Sequence, residues 1–134
     1  MTTAIQRLLA VIGYPAEDVS AGRGVIAIKV DGQTVRVSEE NGRLLLACPL
    51  EVADDQALSR FARYAAGRLL KEDATLAWDP RSEELILWQG VPASSGDGAL
   101  KRVFEVFMAS SDWWLGRAKE NVAGAQIPEM MIRP

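Results

Sequence analysis

Residues Ala74 to Pro92, ATLAWDPRSEELILWQGVP, read as one β-hairpin, and they decide the fold. In the first arm Leu76 and Trp78 alternate with Thr75 and Ala77. Asp79-Pro80 then turns the chain: Asp suits the first position of a type I turn, and Pro80 presets φ at the second. The return arm, Leu85-Ile86-Leu87-Trp88, is apolar at consecutive positions. Successive strand side chains point to opposite faces, so Leu85 and Leu87 face one way and Ile86 and Trp88 the other. Both faces of this strand need cover. A chain of 134 residues covers one face easily and two with difficulty, which points to a partner.

The elements on either side complete an α+β domain. Thr2 or Thr3 caps a first helix running to about Ile12, ended by Gly13 and Pro15, with Ile5, Leu8, Leu9 and Ile12 as its apolar stripe. A polar link, Glu17 to Gly24, leads to Val25–Val30, where Ile26, Ile28 and Val30 share a face. Asp31-Gly32 is a two-residue hairpin turn. Val35 and Val37 continue an alternating strand, and Glu40-Asn41-Gly42 turns into Arg43–Leu50, apolar on both faces at Leu44-Leu45-Leu46-Ala47. Three consecutive antiparallel strands form a meander. Asp54 or Asp55 caps a second helix running to about Lys71, with Leu58, Phe61, Ala65 and Leu69 as its stripe. Its small residues Ala62, Ala65, Ala66 and Gly67 allow close approach of another backbone, and the cost of Gly67, about 1 kcal/mol against alanine in a helix interior, is most easily understood if something packs there. After the hairpin and the link Ala93–Gly96, Asp97 caps a third helix to about Ala118, with Leu100, Val103, Phe104, Phe107 and Trp114 on one face. The expected order is α-β-β-β-α-β-β-α: a five-stranded antiparallel sheet with three helices on one side, one domain over 1–118 and a tail over 119–134.

Composition narrows the chemistry. Fifteen basic against eighteen acidic residues give a net charge of −3, with no basic stripe for nucleic acid. There is no histidine, which removes the commonest general base and metal ligand. The single cysteine, Cys48, excludes an internal disulfide and any paired-cysteine metal or redox pattern, and its apolar setting reads as a buried, inert thiol. Arg7 interrupts the only N-terminal apolar segment, so no signal peptide is read, and no run approaches the roughly 18 residues of a membrane span. The class is a soluble cytoplasmic protein. The acidic pairs Glu39-Glu40, Asp54-Asp55 and Glu83-Glu84 fall in turns or at helix starts, where acids serve as caps or solvated charge. Gly96-Asp97-Gly98 lacks the lysine and hydroxyl of a phosphate loop, and Ser94 and Ser95 have no base to activate them. On residue chemistry alone an enzyme is a poor reading, and no residue set suggests a metal site.

In this order the pieces resemble the class I type III secretion chaperones of the Tir chaperone family. LLAVIGYP resembles the family's first helix, ending in Gly-x-Pro; GVIAIKVDGQTVRVSEENGRLLLACPL resembles its meander. ATLAWDPRSEELILWQGVP resembles its hairpin, and GALKRVFEVFMASSDWWLGRA its last amphipathic helix, with aromatics at Phe107 and Trp114. The likeness covers about residues 2 to 118, and the second helix, ending in GRLLK, carries no distinctive family motif. The resemblance implies a small acidic homodimer that binds the N-terminal segment of a secreted effector in extended form, partly by adding to the sheet, without ATP hydrolysis or cofactor, and that meets the secretion apparatus.

On that reading the effector-binding candidates are Ile5, Leu8, Leu9 and Ile12 with Ile26, Ile28, Val35, Val37, Leu44 and Leu46; about half of them must serve as ordinary core. The dimer candidates are Leu58, Phe61, Ala65 and Leu69 with Leu76 and Trp78 of the first hairpin arm. Two other readings stay open: a regulatory binding protein on the same fold that captures a non-effector partner, and a small-ligand domain or enzyme with Arg36, Arg43 or Glu39 converging in a closed pocket.

Overall fold

The structure is a computed structural model that describes residues 3–15, 20–21, 25–50, 63, 73–80 and 83–124, with backbone alone for 20–21 and 117–124. The helix expected over 54–71 lies outside the described residues, Arg63 excepted.

Helix α1 spans Ala4–Ile12. Thr3 caps it: its side chain accepts from the Gln6 N–H at 3.1 Å, and the Thr3 N–H donates to Gln6 Oε1 at 2.9 Å. This reciprocal pair satisfies two of the amide donors a helix start leaves free. At the other end Gly13 adopts φ 72°, a left-handed conformation that a side chain would disfavour. The reversal brings the Tyr14 N–H back to the Leu9 carbonyl at 3.0 Å and sends the Tyr14 ring toward the sheet.

The sheet has six strands, all pairs antiparallel: β1 (Ser20–Ala21), β2 (Val25–Val30), β3 (Gln33–Glu40), β4 (Arg43–Leu50), β5 (Thr75–Asp79) and β6 (Glu84–Pro92), in the order β1-β2-β3-β4-β6-β5. All five expected strands are present. The addition is β1, two residues inside what reads as a polar link, where Ser20 pairs with Ala27 and Ala21 with Ile26. Its residues carry no apolar alternation, so only the neighbouring strand reveals it. The turns Asp31-Gly32 and Asn41-Gly42 each hold two consecutive positive φ angles, the mark of a type I′ hairpin, and they fix Val30 opposite Gln33 and Glu40 opposite Arg43. The hairpin β5–β6 closes later than a tight turn at Asp79-Pro80 would: Asp79 pairs with Glu84, and four residues connect them, ending in Glu83 at φ 54°. In β4, Pro49 stands beyond Ala47, the last residue paired with β3, so its missing N–H interrupts no ladder on that side.

Helix α2 spans Asp97–Gly124, six residues past the expected end near Ala118. Lys119 to Ala123 hold no breaker before Gly124, and several are strong helix formers. Asp97 opens the helix and does not cap it: the Gly96 carbonyl accepts from Leu100 N–H at 2.9 Å, while Asp97 Oδ1 takes Arg7 Nε at 3.1 Å. Arg7 also donates to the carbonyls of Ala93 and Ser95, tying α1 to the link before α2.

Both helices pack on one face of the sheet. That face buries Ile28, Val35, Val37, Leu44, Leu46, Cys48, Leu50, Leu85, Leu87 and Val91, closed over by Leu8, Leu100, Phe104, Phe107 and Trp114. Ser110 and Ser111 are also buried. Ser111 donates to Gln33 Oε1, and Gln33 Nε2 donates to Asp112 Oδ1 at 3.4 Å, so a short polar link holds α2 to the start of β3. Trp113 and Trp114 meet edge to face, centroids 5.0 Å apart. Phe107 is fully buried at the centre of the core. Phe107→Ala is expected to lower the unfolding free energy by roughly 3–5 kcal/mol, read as a drop in the urea midpoint.

Candidate partner-binding surfaces

Among the described residues two apolar surfaces remain after the core is formed. The first lies along α1, which packs on the C-terminal helix and β3, and along β2, the neighbour of β3. Ile5, Leu9 and Ile12 on α1 and Ile26 and Val30 on β2 are half-buried, packed against the core on one side and open on the other. Six of the ten effector-binding candidates (Leu8, Ile28, Val35, Val37, Leu44 and Leu46) are at most 1% exposed. They form the floor and offer no free surface. Strand alternation and the helical stripe cannot make this distinction, because each marks an apolar face and not how far the opposing element covers it.

The second surface is the other face of the sheet, which no described helix covers. Register puts Leu45, Ala47 and Pro49 of β4 beside Gly90, Trp88 and Ile86 of β6, with Thr75 and Ala77 of β5 beyond them. Trp88 is 37% exposed and Val25, on the same face of β2, 39%. The Arg36–Glu84 ion pair, 3.1 Å, reaches from β3 past β4 to β6 on this face. Gly90 has no side chain here, and the Arg43 guanidinium and Leu45 lie over it: a Cβ at Gly90 would stand 3.0 Å from the Arg43 nitrogen. The signal for this surface is legible in the apolar runs of β4 and β6, but the candidate residues above leave it out.

The dimer candidates divide. Leu58, Phe61, Ala65 and Leu69 lie outside the described residues. Leu76 and Trp78 lie on β5, the strand that ends the sheet, and they share the helix-covered face with Leu85 and Leu87. Leu76 packs against the core, whereas Trp78 is 51% exposed, the most exposed large apolar side chain among the described residues.

Of the three small-ligand candidates, Arg36 and Arg43 share one face of the sheet and Glu39 lies on the other. Arg36 and Glu39 project from opposite faces of β3 by strand alternation. Among the described residues no three acidic or thiol side chains gather as a metal site, and no helix is long and apolar enough to cross a membrane. Cys48 is buried, and desolvation raises its thiol above the ordinary value of 9.0, against smaller opposing effects of Ser111 and Arg36. A thiol held neutral is a poor nucleophile.

These surfaces belong to a fold already known from chaperones. The sequence profile of the Tir chaperone protein (CesT) family matches residues 3–115, and the chain belongs to that family. No curated protein sequence matches it. Among solved structures it is similar to a chain of the HopA1–SchA chaperone–effector complex, with TM-score 0.65 and 20% identity over 81% of this chain and 88% of that one. It is also similar to a chain of the ExoT–SpcS complex from Pseudomonas aeruginosa, with TM-score 0.64 and 20% identity over 84% and 94%. A chain of the ExsC–ExsE complex matches with TM-score 0.66 and 15% identity over 88% and 97%. At these identities the likeness is one of fold.

The Cys48 thiol is expected to react with a disulfide reagent at pH 8 at least ten times more slowly in the native protein than in urea, by absorbance at 412 nm. Because its folded value is raised, the stability it supports is present below pH 9.0 and is lost as pH rises toward that raised value, while the unfolded thiol ionises.

Proposed function

We propose that this member of the Tir chaperone family is a cytoplasmic type III secretion chaperone that holds the N-terminal segment of a cognate effector in extended form, keeping it soluble and fit for secretion. The observation that supports the reading is the half-buried apolar surface of α1 and of β2, in a chain that belongs to the Tir chaperone family and shares its fold with a chain of a chaperone–effector complex. An extended segment laid along this flank contributes apolar side chains to Ile5, Leu9, Ile12 and Ile26, and main-chain hydrogen bonds to the sheet edge. Such recognition tolerates sequence variety in the guest, because main-chain bonding carries part of the affinity. Ordering the segment costs several kcal/mol, so burial on the order of 1,000–3,000 Å² is the expected scale. The other sheet face, with Leu45, Ile86 and Trp88, is the second place for the guest to run.

We further propose a homodimer in which β5 contributes Leu76 and Trp78, together with Leu58, Phe61, Ala65 and Leu69. A half-exposed tryptophan at a sheet's end is the kind of anchor that association buries. A regulatory partner bound in place of an effector would use the same surfaces, and identification of the co-purified protein separates the two readings.

The test is co-expression with the reading frame beside its gene, followed by limited proteolysis: a protected N-terminal segment of that product is expected, and a partner protected nowhere overturns the reading. Leu9→Ser with Ile12→Ser is expected to weaken co-purification, and retention of the native circular dichroism checks that α1 stays docked. Trp78→Asp is expected to shift the protein from dimer to monomer in sedimentation velocity; an unchanged dimer would remove β5 from the interface.

A further inference from the structure

The outer edge of β2 is where a pairing chain would meet the sheet, and the protein already occupies it. The Lys29 backbone N–H donates to the Tyr14 hydroxyl at 3.1 Å. Main-chain groups along a strand alternate between its two sides. Lys29 therefore turns its groups off the sheet, as do Ala27 and Val25, while Ile26, Ile28 and Val30 bond toward β3. Ala27 stands opposite Ser20 of β1. Of the outward-facing positions, one is thus met by a two-residue strand and another by a side-chain hydroxyl, both from the protein itself. Such cover is how proteins protect an edge that would otherwise pair with any extended chain.

We infer that β1 and the Tyr14 hydroxyl are placeholders, holding in the free protein the main-chain groups of β2 that an extended effector segment takes over on binding. This rests on the chaperone reading above for the identity of the guest. The geometry states the guest's form: β1 is itself extended and antiparallel to β2, so the edge accepts a strand in that direction. The Lys29 N–H has a single hydrogen to donate, so a carbonyl of the guest and the Tyr14 oxygen compete for it. Among the described residues β1 pairs at Ala27 and Ile26, and a guest strand that pairs along all of Val25–Val30 gains more main-chain bonds than those two positions supply. Alternate guest side chains then fall on the helix-covered side, against Ile26 and Val30 and toward Leu9 and Ile12. Tyr14 suits the role because its ring packs against the core while its hydroxyl reaches the edge, so the bond can be lost without emptying the core.

Two variants test this with a fluorescein-labelled synthetic octapeptide of alternating valine and threonine between terminal lysines, a probe that pairs through its main chain. In Ser20→Cys/Ala27→Cys, a disulfide ties β1 to β2; antiparallel partners stand 4.5–5.5 Å apart at Cα, within disulfide reach, and Cys48 is buried away from them. The oxidised form is expected to bind the peptide about tenfold more weakly than the same protein reduced, the effect of one or two withheld hydrogen bonds. Tyr14→Phe is expected to bind it several-fold more tightly than the parent and to speed hydrogen exchange at the Lys29 amide, with the Ile28 amide unchanged. Equal binding by the oxidised and reduced forms overturns the proposal, as does a Lys29 amide that exchanges no faster in Tyr14→Phe. If no effector segment co-purifies yet the peptide obeys the disulfide, the chaperone reading fails and the placeholder edge stands.

Discussion

Everything in this protein depends on one asymmetry: its sheet is apolar on both faces, and the described helices cover only one. Phe104, Phe107 and Trp114 of α2 and Leu8 of α1 close over the valines and leucines of β3, β4 and β6. Burial of such side chains contributes roughly 1.5–3 kcal/mol each, and this face holds the domain together. On the opposite face, among the described residues, Leu45 and Ile86 are partly buried and Trp88 is exposed. Apolar surface of that kind, continuous over neighbouring strands, is the surface through which proteins associate.

The same economy of cover appears along the margins. Helix α1 is nine residues long, too short for stability of its own, and it is held by docking, by the Thr3 cap and by Arg7 on the link before α2. A short helix seated this way buries Leu8 fully but leaves Ile5, Leu9 and Ile12 with one side open. On the far side of the sheet β5 carries Trp78 half into solvent. An interaction protein needs such incompletely covered flanks, and the stability lost there is supplied by the continuous core between them.

The described buried polar groups hold elements in position. Gln33 and Ser111 satisfy each other across the gap between β3 and α2, and burial holds the Cys48 thiol neutral beside them. Arg36 bonds Glu84 over the open sheet face, and Arg43 lies over Gly90.

Much of the fold is legible in the chain because its signals are local. The Asp31-Gly32 and Asn41-Gly42 turns dictate their hairpins through backbone conformation alone, and strand alternation assigns Ile26, Ile28, Val35, Val37, Leu44, Leu46, Leu85 and Leu87 to one face without reference to anything distant. The family follows from the order of those pieces. What only the tertiary structure decided is depth and neighbourhood: Leu8 and Ile28 are core while Leu9 and Ile26 on the same stripes stay half open, because cover depends on where α1 comes to rest. Strand β1 and the reach of Tyr14 to Lys29 are likewise invisible in the sequence. They are made by main-chain and hydroxyl groups, and whether these meet is a matter of three-dimensional placement, not of residue pattern.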